Sequence, residues 1–309
     1  MIITVSLNPA IDRTIYVKEF RTGTLNRVTE SRDDPGGKGI NVSKLLSVFG
    51  IPNIAFTVVG GENGKKLERE CLSAGMWMSV VPVDGETRIN TKVIDMSSSV
   101  TTEINERGPV LDRETSEHIF QKLNEEIGNG DTVVFTGSLP KGAPADLYGR
   151  WTEKLREKKV KVVLDASGEA LAEGLQTGIY AVKPNREELE QLTGCALNRT
   201  EDIVSAAEKL SEKGISRIIV SLGSEGAVFV FDGKKYFAPA LKVNVKSTVG
   251  AGDSMVAALL ACEETGKSVE ETIRYIMASA SAAVMCKGSD TPSRETVASL
   301  LDGVEIRSL

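Results

Sequence analysis

Short runs of β-branched and aromatic residues alternate with helical periodicity along most of this chain, and that alternation restricts the fold more than any single motif. Strand-like runs fall at residues 2–7, 54–59, 132–136, 161–164, 179–182 and 217–221. Amphipathic helical stripes are expected near 39–49, 63–73, 114–127, 144–158, 186–192, 201–213, 254–264, 269–285 and 294–301. Strands joined through helices pair in parallel, because each crossover returns the chain to the same end of the sheet. The spacing predicts an α/β fold: a mainly parallel central sheet covered by helices on both faces, in three layers. A run at 226–231, 235–237 and 241–245 carries turns in place of helices, with Asp232-Gly233 placed as a hairpin turn between the first two.

Two pieces do not fit the alternation, residues 13–27 and 88–106. The second alternates Ile89, Thr91 and Val93 against Asn90, Lys92 and Ile94, turns through Met96 to Ser99, and runs on to Ile104. Strands without intervening helices imply a small separate sheet, whose edges and half-apolar face must cover something. A lid over a site is the preferred reading. No repeat, low-complexity tract or linker appears, so one domain spanning 1–309 is expected.

The composition removes whole classes of chemistry. A net charge of −6 argues against nucleic acid or an anionic membrane as partner. The apolar runs are too short to span a bilayer, and residues 1–7 read as a strand and not a leader, so a cytoplasmic protein is expected. Cys71, Cys195, Cys262 and Cys286 form no CxxC pair, which speaks against a zinc site or a disulfide framework. The single histidine, His118, lies in a surface-helix pattern, so a multi-histidine metal site is impossible and proton transfer falls to carboxylates or lysines.

Two Gly-rich stretches each open a helix. In Ser247-Thr248-Val249-Gly250-Ala251-Gly252-Asp253-Ser254, bare backbone N–H groups and a helix N-terminus make an anion site. No lysine stands where a Walker A loop would have one; Asp253 stands at the helix start, where an N-cap and a general base are both at home. In Pro35-Gly36-Gly37-Lys38-Gly39-Ile40-Asn41, Lys38 is within reach of an anion, while the spacing fails as a dinucleotide fingerprint. Gly137-Ser138 and Ser221 to Gly226 end strands, at the edge where ligands of α/β sheets collect. In Lys183-Pro184-Asn185-Arg186-Glu187-Glu188, Asn185 and Glu188 suit either a helix cap or a hydrated magnesium ion. Lys38, Arg27 and Arg88 are cations able to meet an anionic ligand.

Taken in order, these blocks resemble the PfkB, or ribokinase-like, carbohydrate kinase family from the first strand to the last helix. The opening Leu7-Asn8-Pro9-Ala10-Ile11-Asp12 and the Lys183-Pro184-Asn185 block are similar to its hexose-phosphate branch. The resemblance implies a ribokinase-like αβα sandwich with a β-sheet lid, ATP and Mg²⁺ as cofactors, a phosphorylated ketohexose as substrate, and a homodimer formed through the lid. It implies Asp253 as base and the N–H groups of Gly250, Ala251 and Gly252 as anion hole. Asp12, Gly37, Lys38, Asn41, Arg88, Ser138 and Arg27 fall on the sugar-phosphate side. Lys183, Asn185, Ser221, Gly223, Ser224, Gly226 and Thr248 fall on the ATP side, with Glu188 serving the metal through water. Which ketohexose phosphate is taken stays open at this level, with fructose 1-phosphate slightly favoured over tagatose 6-phosphate and fructose 6-phosphate.

Overall fold

The computed structural model describes residues 1–309. Its strands are β1 (Ile2–Ser6), β2 (Ala10–Val17), β3 (Val28–Gly36), β4 (Asn53–Val59), β5 (Met78–Pro82), β6 (Arg88–Asp95) and β7 (Thr101–Asn105). They continue as β8 (Thr132–Thr136), β9 (Lys161–Asp165), β10 (Ala181–Val182), β11 (Arg217–Ser221), β12 (Ala227–Phe231), β13 (Lys234–Ala238) and β14 (Arg307–Ser308). Ten strands form the large sheet in the order β14-β13-β12-β11-β10-β9-β8-β1-β4-β5. From β11 to β5 every pairing is parallel, and β12, β13 and β14 close one edge antiparallel.

Both faces of this sheet are dry, as the near-continuous apolar strands require. Side chains alternate across a strand, so Val133 and Phe135 enter one core while Val134 enters the other. Val162 and Leu164 part from Val163 in the same way. Helices α1 (Lys38–Val48), α8 (Ala251–Glu264), α9 (Val269–Val284) and α10 (Arg294–Leu300) cover one face. The other carries α3 (Arg113–Glu126), α4 (Leu147–Lys154), α5 (Gly168–Gly174), α6 (Arg186–Thr193) and α7 (Thr200–Ser211), while α2 (Gly61–Ser73) seals the end near β4. No helix is long and apolar enough to cross a membrane.

A separate four-stranded sheet, β3-β2-β6-β7, stands off the body. The segment 13–27 contributes most of β2 and a turn, and the third strand lies beyond it, at Val28–Gly36. That strand is exposed over most of its length and polar, which is why apolar patterning does not reveal it. Asp232 and Gly233 both take positive φ (50° and 77°) between paired Phe231 and Lys234, the hairpin the sequence predicts. The expected strand at 241–245 does not form: the free edge of β13 pairs with β14, and residues 241–245 run outside any ladder.

Candidate active site

The C-terminal ends of the parallel strands deliver several polar groups to one cleft beneath the small sheet. Strand β9 ends on Asp165, which is 1% exposed. Lys38, the first residue of α1, donates to Asp165 Oδ1 at 3.3 Å, and Lys183, the residue after β10, forms an ion pair with the same oxygen at 3.2 Å. Lys183 is buried, whereas the Lys38 side chain is 38% exposed and also faces the cleft. On the third residue of α8 sits Asp253, buried, with Oδ2 accepting from Asn41 Nδ2 at 2.8 Å.

The electrostatics separate the two carboxylates. Burial disfavours the charged form of Asp165, but the ammonium groups of Lys183 and Lys38 outweigh it and hold the carboxyl below its usual range. Burial pushes Asp253 up, and the neighbouring charge of Asp165 adds to it, giving about 6. One acid is thereby locked as an anion, while the other is poised to take a proton near neutral pH.

The backbone beside Asp253 leaves the start of α8 bare. Gly250 adopts φ 77°, a left-handed position that a side chain would strain, and no side chain caps the helix. Ser254 N bonds back to Gly250 O at 2.8 Å, so the N–H groups of the first turn before it have no intrahelical partner. A Cβ on Gly252 would stand 3.1 Å from Lys183 Nζ, so the glycine brings the loop close over that cation. Partial positive charge from the helix end and a full charge from Lys183 meet at this point.

The inner face of the small sheet supplies a second set. Asp12 is buried and accepts from Asn90 Nδ2 at 3.1 Å and from Ser289 Oγ at 3.3 Å. A Cβ on Gly36 would lie 2.5 Å from the Asp12 carboxylate, which explains the first glycine of the Gly-Gly pair. Gly37, at φ 116°, turns the chain into α1. Asn8 donates to Ser138 Oγ at 3.2 Å. Arg88 donates to the carbonyl of Asn8 through Nε (3.2 Å) and Nη2 (3.0 Å), and to that of Glu106 through Nη1 at 3.3 Å. Burial draws the Arg88 guanidinium below its usual pKa, and its hydrogen bonds go to neutral carbonyls. Buried amide oxygens of Asn8, Asn41 and Asn90 have no partner. The cleft is thus rich in acceptors, which suits a ligand with several hydroxyl groups.

On the far side, Asn185 and Glu188 form a complete capping box: Asn185 Oδ1 accepts from Glu188 N at 2.8 Å, and Glu188 Oε2 accepts from Asn185 N at 2.9 Å. Ser221 bridges to Asn185, and Arg186 pairs with Glu225 at 2.8 Å, so the loops after β10 and β11 lie side by side. Gly226 takes φ 120°, and a side chain there would strike Ala238 O. Gly223 and Ser224 lie in the short helical turn just before it. Thr248 is exposed ahead of the start of α8. Arg27 is exposed just before β3, with no hydrogen bond to the groups of the cleft.

Sequence reasoning missed Asp165, Lys92 and Ser289. The signal for Asp165 was a carboxylate closing a buried Val-Val-Leu strand. Lys92 and Ser289 carried none, because their partner Asp12 is brought to them only by the fold.

Comparison with known proteins agrees with this geometry. Residues 5–296 match the family described as pfkB family carbohydrate kinase. The chain is 35% identical over 309 residues to the 1-phosphofructokinase of Bacillus subtilis, covering 100% of both chains. It is 34% identical over 304 residues to that of Escherichia coli K12, covering 98% of this chain and 97% of the other. The solved phosphofructokinase-2 of Escherichia coli in complex with potassium superposes with a TM-score of 0.93 at 29% identity, covering 98% of each chain.

Proposed function

This chain belongs to the pfkB family of carbohydrate kinases and is a sugar kinase that transfers phosphate to a hydroxyl, and we propose that its acceptor is fructose 1-phosphate and its donor ATP with Mg²⁺. The observation that carries this reading is the pairing of Asp253 with the bare helix corner at Gly250 to Gly252, a base and an anion site in one place. The full-length relatives named 1-phosphofructokinase favour fructose 1-phosphate over tagatose 6-phosphate and fructose 6-phosphate.

In this mechanism Asp12 and Asn41 hold hydroxyls of the sugar, with Gly37 opening the backbone beside them. Arg88, Ser138 and Lys38 favour the existing phosphate, and Arg27 adds to it if the lid of a partner subunit brings it across. The lid shuts out water, so ATP is not spent on hydrolysis. Asp253 accepts the proton from the 6-hydroxyl as the sugar oxygen attacks the γ-phosphorus of ATP, whose bond to the β-phosphate oxygen breaks as ADP leaves. The N–H groups of Gly250, Ala251 and Gly252, with Lys183 behind them, stabilise charge on the transferring phosphoryl. Thr248, Ser221, Gly223, Ser224, Gly226 and Asn185 border the nucleotide. The capping box uses one oxygen of Glu188, and the other would hold Mg²⁺ through water, in keeping with an all-oxygen donor set. When bound, the ion would offset the negative charge of the nucleotide phosphates.

Arg88→Ala should raise KM for fructose 1-phosphate by about tenfold or more and leave KM for ATP within about twofold, since a charged hydrogen bond to phosphate is lost from one substrate only. Equal changes in both would remove Arg88 from the phosphate site. Light scattering should find a dimer, because Val28, Met96, Val100 and Ile104 leave apolar surface on the small sheet. A monomer at working concentration would reject that assembly; a tetrameric inhibited form is described for phosphofructokinase-2 of Escherichia coli. The substrate itself is tested by a coupled assay comparing kcat/KM for the three ketohexose phosphates. Fructose 1-phosphate should lead, and a higher value for either other sugar would move the assignment to it.

A further inference from the structure

Lys92 lies on the inner face of the small sheet, opposite Thr14 in the parallel pairing of β2 with β6 and two residues from Asn90. It is 9% exposed, an unusual place for a lysine. Its one charged neighbour is Asp12, with Nζ 3.9 Å from Oδ2, too far for a hydrogen bond. The ammonium donates no hydrogen bond to the protein and its tip is not sealed from solvent, so its donors are open to a ligand. Asp12 already takes one neutral donor on each oxygen, from Asn90 and Ser289, which fixes its orientation. At a separation of 3.9 Å, one hydroxyl oxygen sitting beside the pair would be within hydrogen-bond distance of both.

We propose that Lys92 is a substrate-binding residue that acts with Asp12 on a single sugar hydroxyl. The hydroxyl donates its proton to Asp12 Oδ2 and accepts from Lys92 Nζ. Only a group that is both donor and acceptor can satisfy the anion and the cation together, so the pair selects a hydroxyl over hydrogen, a carbonyl or an ammonium group. The inference rests on the sugar-phosphate kinase reading and assigns to that site a selectivity filter on the lid.

The test is steady-state kinetics with fructose 1-phosphate and its 3-deoxy and 4-deoxy analogues, using wild-type protein and the Lys92→Met and Lys92→Arg variants. Lys92→Met should raise KM for fructose 1-phosphate about tenfold or more, with KM for ATP within about twofold. Lys92→Arg should recover much of the loss. For one analogue, the penalty that wild type suffers should shrink severalfold in Lys92→Met, because residue and hydroxyl belong to one interaction. Penalties that multiply independently for both analogues, or KM values for sugar and ATP that rise together, would overturn the proposal. If Lys92→Met melts well below wild type, the same comparison is made with Lys92→Arg, where the analogue dependence must still differ from wild type. Absence of wild-type turnover on any ketohexose phosphate would instead refute the assigned function, a separate outcome.

Discussion

Asp253→Asn should lower kcat by about a hundredfold to ten-thousandfold while ATP still binds, because the amide cannot accept the hydroxyl proton but preserves the shape of the corner. The same substitution should stabilise the fold at pH 8. Burial raises the Asp253 carboxyl to about 6, so its folded pKa lies above its unfolded one. Such a group stabilises most at pH below its unfolded value, and that contribution is lost as pH rises through about 6. Removing the charge therefore restores stability on the order of 2–3 kcal/mol at pH 8 and nothing at pH 4, by urea denaturation. A variant both inactive and more stable identifies a residue kept for chemistry; a kcat near wild type would end its role as base.

Asp165→Asn should be the more damaging change to the fold. Two ammonium groups converge on one buried carboxylate oxygen, and loss of the anion leaves both cations facing each other. Breaking a buried pair of this kind costs about 3–5 kcal/mol. The folded pKa of Asp165 lies below the ordinary value, so its contribution is present above the unfolded pKa and disappears as pH falls through the folded one. The gap between wild type and variant should accordingly be wide at pH 7 and narrow in acid. The variant should also shift the acid limb of activity downward, since the negative charge that helps raise Asp253 is gone. A variant as stable as wild type at pH 7 would mean that the two lysines are held by something other than Asp165.

How far the sequence revealed this protein follows from where each constraint resides. Apolar alternation in Val133, Val134 and Phe135 reflects burial on two faces, so the large parallel sheet was legible from local pattern. The polar, exposed strand Val28–Gly36 has no such imprint; it exists because β2 offers it a hydrogen-bonding edge. The bare helix start beside Asp253 was legible because glycine and an acid at a helix start are local signals. The partners of Asp12 were not, as Asn90, Lys92 and Ser289 reach it from 78, 80 and 277 positions away. Asn185 and Glu188 were read as a cap or a metal site, and the cap is what the side chains make.

The pH dependence of kcat/KM for fructose 1-phosphate, measured between pH 4.5 and 9 in wild-type protein, tests the account at its centre. Asp253 as a buried base beside the helix corner requires activity to fall on the acid side with an apparent pKa of about 6. An acid limb at the ordinary carboxylate value of about 4, or no limb above pH 5, would show that the proton is taken by another group.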